Sequence, residues 1–158
     1  MARIPPPMPL RASVVASDGL LSDTWRRFLA DRFQELSDSP LRVGSVSLTA
    51  QAASISATDV SDGANDTGLY RVSYYARISR AATTSSSLTV TIAWTDGGVA
   101  CSQSGVAMTG NTTATQQNGT LFIQADGLAA VNYSTTYASV GATSMQYGLS
   151  VTLERLKT

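Results

Sequence analysis

The last apolar stretch of the chain constrains its fold most. Met145, Tyr147, Leu149, Val151 and Leu153 alternate with Gln146, Gly148, Ser150, Thr152 and Glu154. An extended chain points successive side chains to opposite faces, so a period of two makes a strand with one apolar side. A helix needs a period near 3.6 and would scatter these groups around its surface.

The same period recurs from Arg42 onward. Val46, Leu48 and Ala50 alternate with Ser and Thr, as do Ala53, Ile55 and Ala57. Tyr70, Val72, Tyr74, Ala76 and Ile78 oppose Arg71, Ser73, Tyr75 and Arg77. Leu88, Val90, Ile92 and Trp94 oppose Thr89, Thr91, Ala93 and Thr95. Asp96-Gly97-Gly98 reads as a hairpin turn, with a return strand over 99–103. Weaker strands are expected near Val106–Met108, Thr120–Ala125 and Ala130–Thr135, with turns at Thr83–Ser87, Asn118-Gly119 and Asp126-Gly127. Eight or nine strands with no second helix predict an all-β fold, an antiparallel β-sandwich of jelly-roll type over 41–158.

The segment before it differs. Residues 1–21 contain Ile4-Pro5-Pro6-Pro7-Met8-Pro9-Leu10, and proline fixes φ and removes a donor, so an extended arm is expected. It is either a disordered tail or an arm whose apolar groups, with Val14 and Val15, lie across a partner. Over 22–40 one amphipathic helix is expected. Ser22 stands at its N-cap, and Trp25, Phe28, Leu29, Phe33 and Leu36 form an apolar stripe. Asp38-Ser39-Pro40 ends it. Four turns alone are marginal in water, so the stripe needs something to pack on.

Composition then narrows the function. The chain has no histidine and one cysteine. That removes Ser-His-Asp and Cys-His nucleophiles, His-ligated metals and internal disulfides. Eleven basic and eleven acidic residues cancel, which argues against a nucleic-acid binder. No apolar run is long enough to span a membrane, and no secretory leader is evident. No enzyme activity, cofactor or metal is expected.

Charge is also unevenly placed. Between Ala81 and Leu153 only Asp96 and Asp126 are ionisable acids, and there is no Lys or Arg. The 21 serines and 19 threonines take the place of charge on the strands. Neutral sheet faces lack the usual protection against association. Coverage by other copies is therefore expected, with a homotrimer in which three helices pack Trp25, Phe28 and Leu29 along one axis.

Other features have plainer readings. Asp59, Asp62, Asn65 and Asp66 offer hard oxygens for Ca²⁺, but the spacing is that of an ordinary turn. Asp96 and Asp126 are each followed by Gly, as turn residues are, and not placed as a glycosidase pair. Cys101 reads as a small buried hydrophobe. The Asn-x-Ser/Thr triplets at Asn65, Asn111, Asn118 and Asn132 are what chance gives in a Thr-rich chain. Tyr75, Tyr133 and Tyr137 are candidates for stacking on glycan rings.

Three stretches carry a resemblance. Leu69-Tyr70-Arg71-Val72-Ser73-Tyr74-Tyr75, the segment LTVTIAWTDGG from Leu88 and TYASVGATSMQYGLSVTL from Thr136 resemble a β-domain of small structural proteins of tailed bacteriophages. The leader from Ser17 to Phe28 resembles the N-terminal anchor of phage virion and fibre-like proteins. The resemblance implies a virion component, assembled in the host cytoplasm, whose N-terminus docks on the neck, tail or capsid. Ile4 to Leu10 with Trp25, Phe28, Leu29, Phe33 and Leu36 would be the anchoring residues. A short fibre or spike contacting a host surface glycan is the leading expectation. A capsid cement protein and a carbohydrate-binding module are the alternatives.

Overall fold

The structure is a computed structural model that describes residues 13–16, 19–37, 40–61 and 66–156. The chain forms two compact units, Met1–Ser39 and Pro40–Thr158.

In the first unit, α1 spans Asp23–Ser37. Asp23 lies in its first turn, where a negative charge meets the positive end of the helix dipole. The Ser22 carbonyl accepts the first helical bond from Arg26 N at 2.9 Å. Its hydroxyl donates to the Ser13 carbonyl at 2.6 Å, which ties the helix start to the preceding segment. That segment is not extended as far as residue 21. Val15 and Leu21 form an antiparallel bridge, and Ala16 N donates to Leu20 O at 2.7 Å. Gly19 N donates back to Ala16 O at 3.1 Å, closing the reversal. Ile4 to Leu10 lie outside the described residues.

The second unit holds β1 (Leu41–Gln51), β2 (Ile55–Asp59), β3 (Gly68–Arg80), β4 (Ser85–Asp96), β5 (Val99–Ser104), β6 (Gln116–Ala125), β7 (Asn132–Val140) and β8 (Gln146–Arg155). They form two four-stranded sheets, β1-β8-β3-β6 and β2-β7-β4-β5, antiparallel throughout. The pairs β1·β8, β2·β7, β3·β6 and β4·β5 are those of one long ribbon folded at its middle. Wrapping that ribbon sends alternate pairs to opposite sheets, which is the jelly-roll sandwich.

The core follows the alternation in the sequence. Tyr70, Val72, Ala76 and Ile78 of β3 meet Leu88, Val90 and Ile92 of β4 across the sandwich. Tyr147, Leu149, Val151 and Leu153 of β8 complete the same cluster. Fully burying each large aliphatic group contributes about 1.5–3 kcal/mol.

Several local expectations are corrected. Asn118-Gly119 is not a turn but lies inside β6, opposite Tyr74. A Cβ on Gly119 would run into the Tyr74 ring, so the glycine is there to make room. Ser85–Ser87 belong to β4, where they pair with Val140, Ser139 and Ala138 of β7, and the buried Ser86 hydroxyl donates to Asn111 Oδ1 at 2.9 Å. The stretch near Met108 is a single bridge to Leu88 and no strand, although Met108 itself is buried in the core. The weak strand near 130–135 begins later and runs on to Val140. Cys101 is half-buried, not buried, since β5 is an edge strand.

Candidate functional site

The register of the β1-β8-β3-β6 sheet fixes what its outer face displays. Directly paired residues share a face, so the ladders read out as rows across the strands. One row is Arg42, Glu154, Arg71 and Phe122. The next is Ser45, Thr152, Ser73 and Thr120. The third is Ser47, Ser150, Tyr75 and Asn118. The fourth includes Gly148, Arg77 and Gln116. Neighbours within a row are about 4.8 Å apart and successive rows about 7 Å.

The second row has only small hydroxyl side chains, and Ser73 and Thr120 lie 3.4 Å apart across the strands. Larger groups rise on either side of it. Arg71 Nε donates to Glu154 Oε2 at 2.6 Å, which fixes the first row. Phe122 is 67% exposed at the end of that row, on edge strand β6. Tyr75 is 41% exposed and donates its phenol hydrogen to Gln116 Oε1 at 2.7 Å, one row further on. Its ring therefore leans over the sheet. Arg77 Nε donates to the Thr113 carbonyl at 3.0 Å. Over β3 and β6 the face dips to a shallow trough at Ser73 and Thr120, with Arg71 and Phe122 on one side and Tyr75 on the other, while Ser47 and Ser150 leave the β1 and β8 side open.

The three tyrosines singled out from sequence do not converge. Tyr75 lies on this outer face. Tyr133 is 4% exposed and sits in the core, and Tyr137 is half-buried on the inner side of β7. Tyr137 donates its hydroxyl to the Met145 carbonyl at 2.8 Å and its ring lies 6.1 Å from that of Tyr147. The alternation of β7 assigns both residues inward, and that signal was present in the sequence. Phe122 was missed, because alone it reads as one exposed apolar residue in a weak strand.

The other sheet presents a different outer face. Thr89 pairs with Thr136, and Thr91 pairs with both Ser134 and Ser104. No Lys or Arg occurs in β2, β7, β4 or β5, and their acids, Asp59 and Asp96, end strands.

The candidate acids serve the loops. Asp126 accepts from Gly98 N at 2.8 Å and Leu128 N at 3.0 Å, joining the β4-β5 turn to the β6-β7 loop. These backbone donors hold its carboxyl below its ordinary pKa, the opposite of what a general acid requires. Asp66 Oδ2 accepts from Arg155 Nη1 at 2.6 Å, so its charge is already paired. Asp59 is exposed at the end of β2, and Asp62 and Asn65 lie outside the described residues. Among the described residues no group of three or more His, Cys, Asp or Glu gathers to hold a metal ion.

Of the candidate anchor residues of α1, Trp25, Phe28, Leu29 and Phe33 have described side chains. Trp25 and Phe28 pack edge to face with centroids 5.6 Å apart, and the Arg32 guanidinium sits 5.3 Å over the Phe28 ring. Leu29 is half-buried and Phe33 is 68% exposed. The Leu36 side chain lies outside what is described. Among the described residues no helix is long and apolar enough to cross a membrane.

No protein-family model matches the chain, and no curated protein sequence matches it. Among solved structures, one similar chain carries the CBM22-1 and GH10 modules of the Clostridium thermocellum endo-1,4-beta-D-xylanase 10B, complexed with xylohexaose. It is 14% identical with a TM-score of 0.38, over 75% of this chain and 26% of that one. Another is the Eiger TNF of S. frugiperda, 11% identical with a TM-score of 0.31, over 75% of this chain and 90% of that one. The jelly-roll assignment rests on strand order and register alone.

Proposed function

We propose that this chain is a non-enzymatic structural protein of a tailed-bacteriophage virion, a trimer attached to the particle through its N-terminal unit. The observation that carries the reading is the outer face of the β2-β7-β4-β5 sheet. Its four strands hold no cation, and their acids are confined to strand ends. Soluble proteins usually guard sheet edges with Lys or inward charge, and the edge strands β2 and β5 carry no Lys or Arg. A neutral hydroxyl face loses little on being covered, because hydroxyl groups exchange water for partners on the next copy without desolvating a charge.

The N-terminal unit supports the same reading. Phe33 stands exposed on a short helix that also carries Trp25 and Phe28, a surface suited to a protein partner. Removing residues 1–40 is expected to abolish incorporation into particles while the β unit still unfolds cooperatively. Incorporation that persists without them would overturn the anchoring role.

A further inference from the structure

We propose that the outer face of the β1-β8-β3-β6 sheet binds an extended anionic polysaccharide, running along β3 and β6 over the hydroxyl trough from Phe122 to Tyr75. The proposal does not rest on the virion reading, and it uses the sheet opposite the neutral face.

The register makes the argument. Phe122 is paired with Arg71, and Tyr75 lies four residues along β3 from Arg71. The two aromatic positions are therefore about 14 Å apart on the diagonal. Between them lie only Ser73 and Thr120, whose small side chains leave the trough open. A sugar ring offers an apolar C–H face and a rim of hydroxyls. The aromatic rings match the first and the Ser/Thr floor matches the second. A span of this size takes several consecutive sugars.

Charge selects among polysaccharides. The face carries Arg42, Arg71 and Arg77, and among the described residues of its four rows Glu154 is the only acid. Glu154 is paired with Arg71, leaving two guanidinium groups in excess. Arg77 spends one donor on the Thr113 carbonyl, and its remaining donors are suited to a carboxylate or sulfate group. Single-stranded nucleic acid shares the taste for aromatic rings and arginine. It is disfavoured by a floor of neutral hydroxyls in place of a continuous basic groove.

The test is titration calorimetry of the full chain with alginate oligosaccharides, cellohexaose and a thymidine oligonucleotide in parallel. Alginate is expected to bind, weakening as salt is raised, and cellohexaose to bind less tightly. Phe122→Ala, Tyr75→Ala and Arg77→Gln are each expected to weaken alginate binding about tenfold, in line with the worth of single aromatic and charge-assisted contacts. Tyr75→Phe keeps the ring and retains most of the affinity. Leu128→Ala, in the exposed β6-β7 loop, leaves binding unchanged. Melting temperatures of the variants separate lost binding from lost folding. The proposal is overturned by absence of alginate binding. It is also overturned if the three variants bind like wild type, or if cellohexaose or the oligonucleotide binds more tightly.

Discussion

Thr135 Oγ1 and Tyr147 Oη lie 2.8 Å apart in the interior and join the two sheets. Tyr147 donates its proton to the Ala53 carbonyl at 2.9 Å, so Thr135 must be the donor between the two hydroxyls. Thr135 Oγ1 in turn accepts from Ile55 N at 2.9 Å. The result is a one-way chain from Ile55 N–H through both hydroxyls to Ala53 C=O. It begins and ends around the β1-β2 connection and holds that connection against the core. Thr135→Val orphans the Ile55 N–H, and Tyr147→Phe orphans the Ala53 carbonyl. Each is expected to cost about 1–3 kcal/mol in urea unfolding. The double variant should cost less than the sum, because both members belong to one network. Strict additivity would contradict this reading.

Gly119 is predicted to be intolerant of even one methyl group. An added Cβ meets the ring of Tyr74, which is 7% exposed and fixed in the core. Gly119→Ala is expected to destabilise by about 1–3 kcal/mol through overpacking. Gly119→Ala combined with Tyr74→Leu should recover part of that loss. Thermal melts of Gly119→Ala, Tyr74→Leu and the double variant check it.

The sequence carried the sandwich but not this detail. The inward faces of β3, β4 and β8 were legible because strict alternation leaves only one way to bury the apolar set. Asn118-Gly119 was misleading because its usual meaning is a turn, whereas here the glycine answers a ring on the neighbouring strand. Tertiary packing of that kind has no local signature. The trough was illegible for the same reason. Phe122 joins Arg71, Ser73 and Tyr75 on one face only through the register of β6 on β3. The neutral character of the second sheet was legible in part, as the charge-free run from Ala81 to Leu153. That run also supplies β6 and β8 to the first sheet, so the division of charge between faces emerged only with the topology.

Ala50 offers a prediction in the stabilising direction. It has φ of +54° at the place where β1 gains one residue over β8, between Leu48 and Gln51. A left-handed conformation costs an L-residue about 1–2 kcal/mol, and glycine escapes this at a smaller entropic cost. Ala50→Gly is therefore expected to raise stability by about 0.5–1 kcal/mol. A lower urea midpoint would contradict the assigned bulge.

Stability should fall at both ends of the pH range for separate reasons. Backbone donors lower the Asp126 pKa below 3.8, so its contribution is complete above that value and is lost as pH falls through the lower, folded one. Asp126→Asn is expected to flatten that acid limb. Burial raises Tyr70, Tyr74 and Tyr147 above 10.0. The unfolded chain then loses these protons first, so stability declines as pH rises above 10.0. Urea midpoints across pH, with phenolate absorbance in the folded state, test both limbs.

The neutral face of the β2-β7-β4-β5 sheet is central to the account, and sedimentation equilibrium tests it most directly. The wild-type chain is expected to sediment as a trimer of its 16.5 kDa protomer across a range of concentrations. Thr89→Lys, placed opposite Thr136 at the middle of that face, is expected to dissociate it without unfolding it. A wild-type chain that sediments as a clean 16.5 kDa monomer at every concentration would contradict the account.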